Sequence, residues 1–200
     1  MVTIGVLALQ GAVEEHLAAL DQVGCRPREV RRSADLVGLD GLVLPGGEST
    51  TIGKLLDRYE LLEPIRQRAT AGMGVWGTCA GMILLSREVR NALPGQPVLG
   101  LMDTVVERNA YGRQVDSFST ELSVACLGPE PVPAVFIRAP RIAECGREVE
   151  VLARFQGEVV AARQGHLLAT SFHPELTGDR RWHAYFAQLC GRSVALAKCS

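Results

Sequence analysis

The chain has almost no net charge, few aromatic side chains and no long apolar run. Its 21 basic and 22 acidic side chains leave a net charge of −1, so there is no electrostatic case for binding nucleic acid or an anionic membrane. No apolar stretch approaches the ~20 residues of a membrane-spanning helix. Met1 to Val13 lacks a basic n-region and holds Gln10 and Gly11, which argues against a signal peptide and for a cytoplasmic protein. Hydrophobic residues at 47% and charged residues at 22% exclude a disordered or fibrous chain. A length of 200 residues fits one domain. We expect a single domain over 1–191 and a poorly anchored tail over 192–200.

Zinc-like and redox spacings are also missing. Of the six cysteines (Cys25, Cys79, Cys126, Cys145, Cys190 and Cys199), no two stand at C-x-x-C spacing. No histidine pair completes a metal pattern, and a chain of this size needs no disulfide framework. The expectation is reduced thiols, most of them small core hydrophobes, and no metal.

The first half alternates strand-like and helix-like stretches. Thr3–Leu9, Glu29–Arg31, Gly41–Leu44 and Met73–Trp76 read as strands, and 12–23, 50–69 (broken near Pro64) and 80–90 as helices. This order implies a parallel sheet covered on both faces. From Val98 to Leu168 the pattern is β-rich, and 149–155, 158–163 and 166–172 read as consecutive antiparallel strands. A helix over 179–190 closes the domain.

Glycine patterns carry most of the chemistry. Gly72-Met-Gly-Val-Trp-Gly77 spells a dinucleotide fingerprint but encloses a strand, where the fingerprint must follow one. Gly53-Lys54 fails as a phosphate loop, because Glu48 and Leu55 stand where Gly and Ser/Thr are needed. Gly77-Thr-Cys-Ala-Gly81 lies between a strand and a helix and reads as a thiol nucleophile elbow. Its glycines relieve a tight turn, and the following helix directs N–H groups at the sulfur and at a developing oxyanion. The bland alternative is a structural cysteine in a glycine-rich turn.

Only four histidines are available as a base. His16 and His183 stand among charged residues in helical stretches and are expected at the surface, and His166 begins a strand. His173 precedes Pro174 and Glu175 at the end of an apolar run, where Glu175 can reach its ring and fix the tautomer. With Cys79 they make nucleophile, base and orienter. Gly46-Gly-Glu-Ser-Thr50 opens a helix that Ser49 or Thr50 could cap. Residues 8–11, 45–50, 77–81 and 172–175 all follow strands, so they can converge on one crevice.

Taken together, these motifs resemble class I, triad-type glutamine amidotransferases. Leu7-Ala-Leu-Gln-Gly11 with Glu15-His16, Arg108-Asn-Ala-Tyr-Gly-Arg-Gln114, Phe136-Ile-Arg-Ala-Pro140 and Ser171-Phe-His-Pro-Glu-Leu176 narrow the resemblance. They point to the family of glutaminase subunits of pyridoxal 5′-phosphate synthase, and Ser119 departs from that pattern. The resemblance implies a three-layer α/β fold: a flavodoxin-like open sheet, mostly parallel, with antiparallel additions in the C-terminal half. It implies Cys79 as nucleophile with His173 and Glu175, and Gly47, Glu48, Ser49, Arg108, Ile137 and Arg138 around L-glutamine. Gly47, Ala80 and Gln10 would stand at the oxyanion. It further implies ammonia production for a separate synthase subunit, with no cofactor. Two rivals are a γ-glutamyl hydrolase or peptidase on a similar sheet, and a non-catalytic subunit that kept the fold.

Overall fold

Four short, almost wholly apolar strands build the centre of the protein. In the computed structural model, which describes residues 1–108 and 117–197 with side chains through 191, these are β1 (Thr3–Leu7), β3 (Gly41–Leu44), β4 (Gly74–Thr78) and β12 (Leu167–Thr170). Continuous apolar runs suit strands that are covered on both faces. With β2 (Arg26–Val30) at the edge they form a parallel array in the order β2-β1-β3-β4-β12. That is the 2-1-3-4-5 order of flavodoxin-like sheets, with the last strand supplied late in the chain.

The rest of the sheet is mainly antiparallel. Beyond β12 lie β11 (Glu158–Gln164), β9 (Arg141–Cys145), β6 (Met102–Glu107) and β5 (Ser86–Arg90), with β10 (Glu150–Phe155) paired to β11. The expected run of antiparallel strands over 149–172 is present as β10, β11 and β12. A separate hairpin, β7 (Ser117–Leu122) with β8 (Val132–Ile137), packs Phe118 and Phe136 face to face at 4.7 Å.

Helices cover both faces. On one side α2 (Ser49–Arg58), α3 (Leu62–Thr70) and α4 (Ala80–Leu85) pack Leu56, Ile65 and Leu84 onto the sheet. On the other, α1 (Val13–Gln22) and α5 (Arg181–Ala197) bring Leu20, Trp182 and Phe186 against Trp76 and Phe172. Three layers result.

Several boundaries differ from the sequence reading. The break in 50–69 falls at 59–61, where Glu60 takes a left-handed φ of 54° and Leu61 N–H reaches back to Leu56 O. Pro64 instead sits in the first turn of α3, where its missing N–H costs nothing. The stretch 80–90 is helical only to Leu85. There Ser86 Oγ donates to Ile83 O at 2.8 Å, and Arg87 and Arg90 pair with Asp103 and Glu144 across the sheet. Cross-strand pairing outweighs helix propensity. The closing helix runs on to Ala197, past the tail boundary expected at 192. Cys25 and Cys190 are core thiols and Cys79 is buried too, so three of the five described cysteines are buried; Cys126 and Cys145 are exposed, and Cys199 lies outside the described residues.

Candidate active site

Because β1, β3, β4 and β12 are parallel neighbours, their C-terminal ends open on one edge of the sheet. The segments that follow them meet there, as the strand pattern implies. Gln10, Gly47, Glu48, Ser49, Cys79, Ala80, Arg108, Ile137, Arg138 and His173 line a single crevice of about 320 Å³, together with Ile83 and Pro140. The dinucleotide-like glycines end up in and before β4, in keeping with their dismissal.

Cys79 occupies a sharp turn. Its backbone has φ 47° and ψ −104°, a left-handed conformation that L-residues adopt only under constraint. The constraint comes from close backbone approach. A Cβ on Gly77 would overlap Gly81 O, and one on Gly81 would overlap Leu44 O. The two glycines therefore let β4 turn into α4 against the end of β3. Cys79 is nearly buried, with its Sγ 3.8 Å from Ile137 O.

His173 faces it from the turn after β12. The His173 N–H donates to Val135 O at 2.8 Å, tying the turn to the hairpin that delivers Ile137 and Arg138. Pro174 then starts a short 3-10 turn, so Glu175 reaches the ring by a bend and not along extended chain. The result is a 2.7 Å bond from His173 Nδ1 to Glu175 Oε1. Burial alone would depress the His173 pKa, but hydrogen bonding and attraction to Cys79 and Glu175 outweigh it and raise it to about 10. Glu175 is 4% exposed. Burial pushes its pKa up, yet His173 and His16 hold it below the usual carboxylate value.

His16 and His183 are not at the surface. Both are fully buried, on the inner faces of α1 and α5, with their neighbouring charges turned outward. His16 Nε2 lies 3.4 Å from Glu175 Oε2 and 3.3 Å from Thr78 Oγ1, and its Nδ1 is 3.1 Å from His183 Nε2. Trp76 walls the pair, with ring centroids 5.6 and 5.0 Å away. Burial lowers both pKa values, that of His183 to about 2. His166 is bonded to Ala69 O at 2.9 Å, away from the crevice.

The opposite wall is polar. Glu48, and not Ser49 or Thr50, caps α2, because its longer side chain bends back to accept from Thr51 N–H at 2.8 Å. Arg108 donates to Glu48 Oε1 and Thr50 Oγ1, both at 3.3 Å, and to Gln96 Oε1 at 3.1 Å. Gln96 also reaches Ser49 Oγ at 3.4 Å; nothing in the sequence pattern singled it out. Gln10 Oε1 accepts from Glu48 N–H at 2.9 Å, fixing the loop that holds Gly47. Residues 109–114 of the Arg108 motif lie outside the described residues. Among the described residues no group of three His, Cys, Asp or Glu could hold a metal ion, and no helix is long and apolar enough to cross a membrane.

Comparison with known proteins agrees with this geometry. The model of the SNO glutamine amidotransferase family matches residues 6–192. The "Pyridoxal 5′-phosphate synthase subunit PdxT" of Herpetosiphon aurantiacus is 59% identical over 94% of this chain and 100% of its own length. The protein of the same name from Frankia alni is 59% identical over 93% of this chain and 94% of its own. Among solved structures, a crystal structure described as a glutamine amidotransferase superposes with TM-score 0.89 at 50% identity, covering 94% of this chain and 98% of that one. PurLQS from Thermotoga maritima, at 16% identity and TM-score 0.66 over 98% of both chains, shares the fold alone. The chain belongs to the SNO glutamine amidotransferase family.

Proposed function

We propose that this chain is a glutaminase that hydrolyses the side-chain amide of L-glutamine and hands the ammonia to a pyridoxal 5′-phosphate synthase subunit. The observation that carries the reading is Cys79 and His173 at the wall of the crevice with Glu175 buried behind the ring, the 2.7 Å His173–Glu175 bond leaving Nε2 for the thiol. The Cys79 proton passes to His173 and the sulfur attacks the amide carbon. Backbone N–H groups of Gly47 and Ala80 receive the oxyanion, in a loop steadied by Gln10. Protonated His173 then gives its proton to the leaving nitrogen, so ammonia departs and a γ-glutamyl thioester remains. His173 takes a proton from water, the hydroxide opens the thioester, and glutamate leaves as the thiol is restored.

Glu48, Ser49, Arg108, Ile137 and Arg138 would bind the amino-acid end of glutamine. Arg108 supplies the fixed positive charge that an α-carboxylate requires. Ammonia is protonated in bulk water and is then no nucleophile, so its release needs a nearby acceptor. The names of the relatives support a synthase subunit in that role. Free thiols at Cys25, Cys79, Cys126, Cys145 and Cys190 fit a reducing, cytoplasmic setting.

The test compares ammonia release from glutamine by the wild type and Cys79→Ala, with and without the synthase subunit. Loss of activity in the variant is expected. Undiminished release would remove Cys79 as nucleophile, and preference for γ-glutamyl peptides over free glutamine would favour a hydrolase of another class.

A further inference from the structure

Two fully buried histidines, His16 and His183, take no part in the steps above. Their hydrogen-bond roles follow from the acceptor end of the chain. Glu175 is held ionised by His173 and His16, so Oε2 can only accept. His16 Nε2, at 3.4 Å, must then carry its ring proton. Burial keeps His16 neutral, so Nδ1 is bare and accepts. Facing it at 3.1 Å, His183 Nε2 must donate. His183 is neutral as well, which leaves its Nδ1 a bare lone pair, and that atom is without a hydrogen-bond partner. An unpaired buried acceptor is tolerated somewhat more often than an unpaired N–H. The opposite assignment would aim two lone pairs, from His16 Nε2 and Glu175 Oε2, at each other.

We infer that His16 is a positioning residue for the triad: as a neutral Nε2–H donor it holds the second carboxylate oxygen of Glu175, and His183 fixes the tautomer that makes it a donor. Oε2 makes no aligned hydrogen bond, so the His16 contact is what restrains the carboxylate on that side. With Oε2 held, Oε1 stays on His173 Nδ1 and the ring stays turned toward Cys79. Thr78 Oγ1, at 3.3 Å, shares the same N–H from the strand that precedes Cys79. The charged groups acting on His16 are Glu175 and His173 from the turn after β12 and Glu15 from α1; Arg180, just before α5, acts on His183.

The inference rests on the glutaminase reading, and its test separates the two. In the full wild-type chain, ring ¹⁵N shifts should report His16 as the neutral Nε2–H tautomer at about pH 7 to 8. A protonated His16, or the Nδ1–H tautomer, at neutral pH would overturn the assignment without any variant. Activity is then measured with the synthase subunit for His16→Leu, His16→Gln and His16→Asn. His16→Leu should lose about 10–100-fold in kcat, the range seen when the outer partner of a metal-bound histidine is removed. KM should stay nearly constant, and the His173 titration should move down. His16→Gln, whose amide N–H reaches the position of Nε2, should recover most of the rate; His16→Asn, which reaches only the position of Nδ1, should not. Equal losses in all three with an unmoved His173 titration would mean a merely structural role and refute positioning. If His16→Leu does not fold, the wild-type ring shifts and His16→Gln still decide. If the wild type releases no ammonia from glutamine, the glutaminase reading falls, while the tautomer and His173 titration continue to judge the positioning role.

Discussion

Replacing Gly46 by alanine probes the reasoning about the site most directly. Gly46 passes over the His173 ring. A Cβ built there overlaps His173 Cε1 and lies 3.0 Å from Nδ1 and 3.3 Å from Nε2. Gly46 is not at a positive φ, so alanine meets no backbone strain and the effect is confined to that contact. Non-bonded carbons settle at about 3.5–4.0 Å, so the ring or the loop must retreat by about 1 Å. The ring is held at 2.7 Å by Glu175 and its backbone at 2.8 Å by Val135 O. The loop is held as well, because Gly11 packs so closely on Gly46 O that a Cβ there would overlap it. Overpacking of this kind costs about 1–3 kcal/mol. A reacting group displaced by about 1 Å loses on the order of 10²-fold in rate. Gly46→Ala should therefore cut kcat for glutamine about 10²-fold and lower Tm by only about 2–12 °C, at ~2–4 °C per kcal/mol for a chain of this size. Ammonia release with the synthase subunit present, and thermal unfolding, are the assays. Wild-type kcat in a folded Gly46→Ala protein would show that the His173 ring is not held where the mechanism needs it.

Three further outcomes follow from other contacts. Gly81→Ala drives a Cβ into Leu44 O and to 2.9 Å from Leu44 Cβ; it should destabilise by about 1–3 kcal/mol or more, read as a lower unfolding midpoint in denaturant. Glu48→Ala removes the α2 cap and the partner of Arg108; it should cost about 1 kcal/mol of stability, and KM for glutamine should rise more than kcat falls. The Tm–pH profile should peak near neutrality. Glu175 is depressed in the fold, so its stabilisation is present above about pH 4.3 and is lost as pH falls through its folded value. His16 and His183 are also depressed, so below about pH 6.5 the unfolded chain takes up protons that the folded chain refuses, and stability falls further. His173 is raised to about 10, so its stabilisation is complete below about 6.5 and is lost as pH climbs through about 10. Cys79→Ala should flatten the alkaline arm, and an unchanged arm would contradict the Cys79–His173 coupling.

The parts of the molecule legible in the sequence are those fixed by local sterics. The elbow at Cys79 was readable because two glycines at fixed offsets have no other economical use between a strand and a helix, and the overlaps at Gly77 and Gly81 bear that out. The central strands were readable as apolar runs. What stayed hidden depends on distant partners. Ser86–Arg90 looks helical alone and becomes a strand because β6 lies beside it. Glu48 caps α2 because Arg108, sixty positions away, draws its second oxygen outward. Gln96 joins Ser49 to Arg108 from a loop with no motif.

His16 was misplaced for a different reason, which bears on how the site works. Its sequence neighbours Glu14 and Glu15 suggest a wet face, yet helical spacing sets His16 on the same side as Ala19 and Leu20, both fully buried. His183 likewise shares a face with Phe186 and Cys190. A histidine on an apolar stripe can hardly stay charged without a partner, so its ring must be neutral and each nitrogen must take a definite role. Here His183 donates to His16, and the ring N–H groups of His16 and His173 are directed at Glu175 from its two sides, which leaves the remaining nitrogen of His173 facing Cys79. Burial would raise the Glu175 carboxyl and neutralise it, and a neutral Glu175 could not hold the imidazolium that the proposed reaction forms. The His173 N–H on Oε1 and the His16 ring beside Oε2 keep it ionised in a dry site, so the apolar packing of α1 and α5 and the chemistry at Cys79 depend on the same two helical faces.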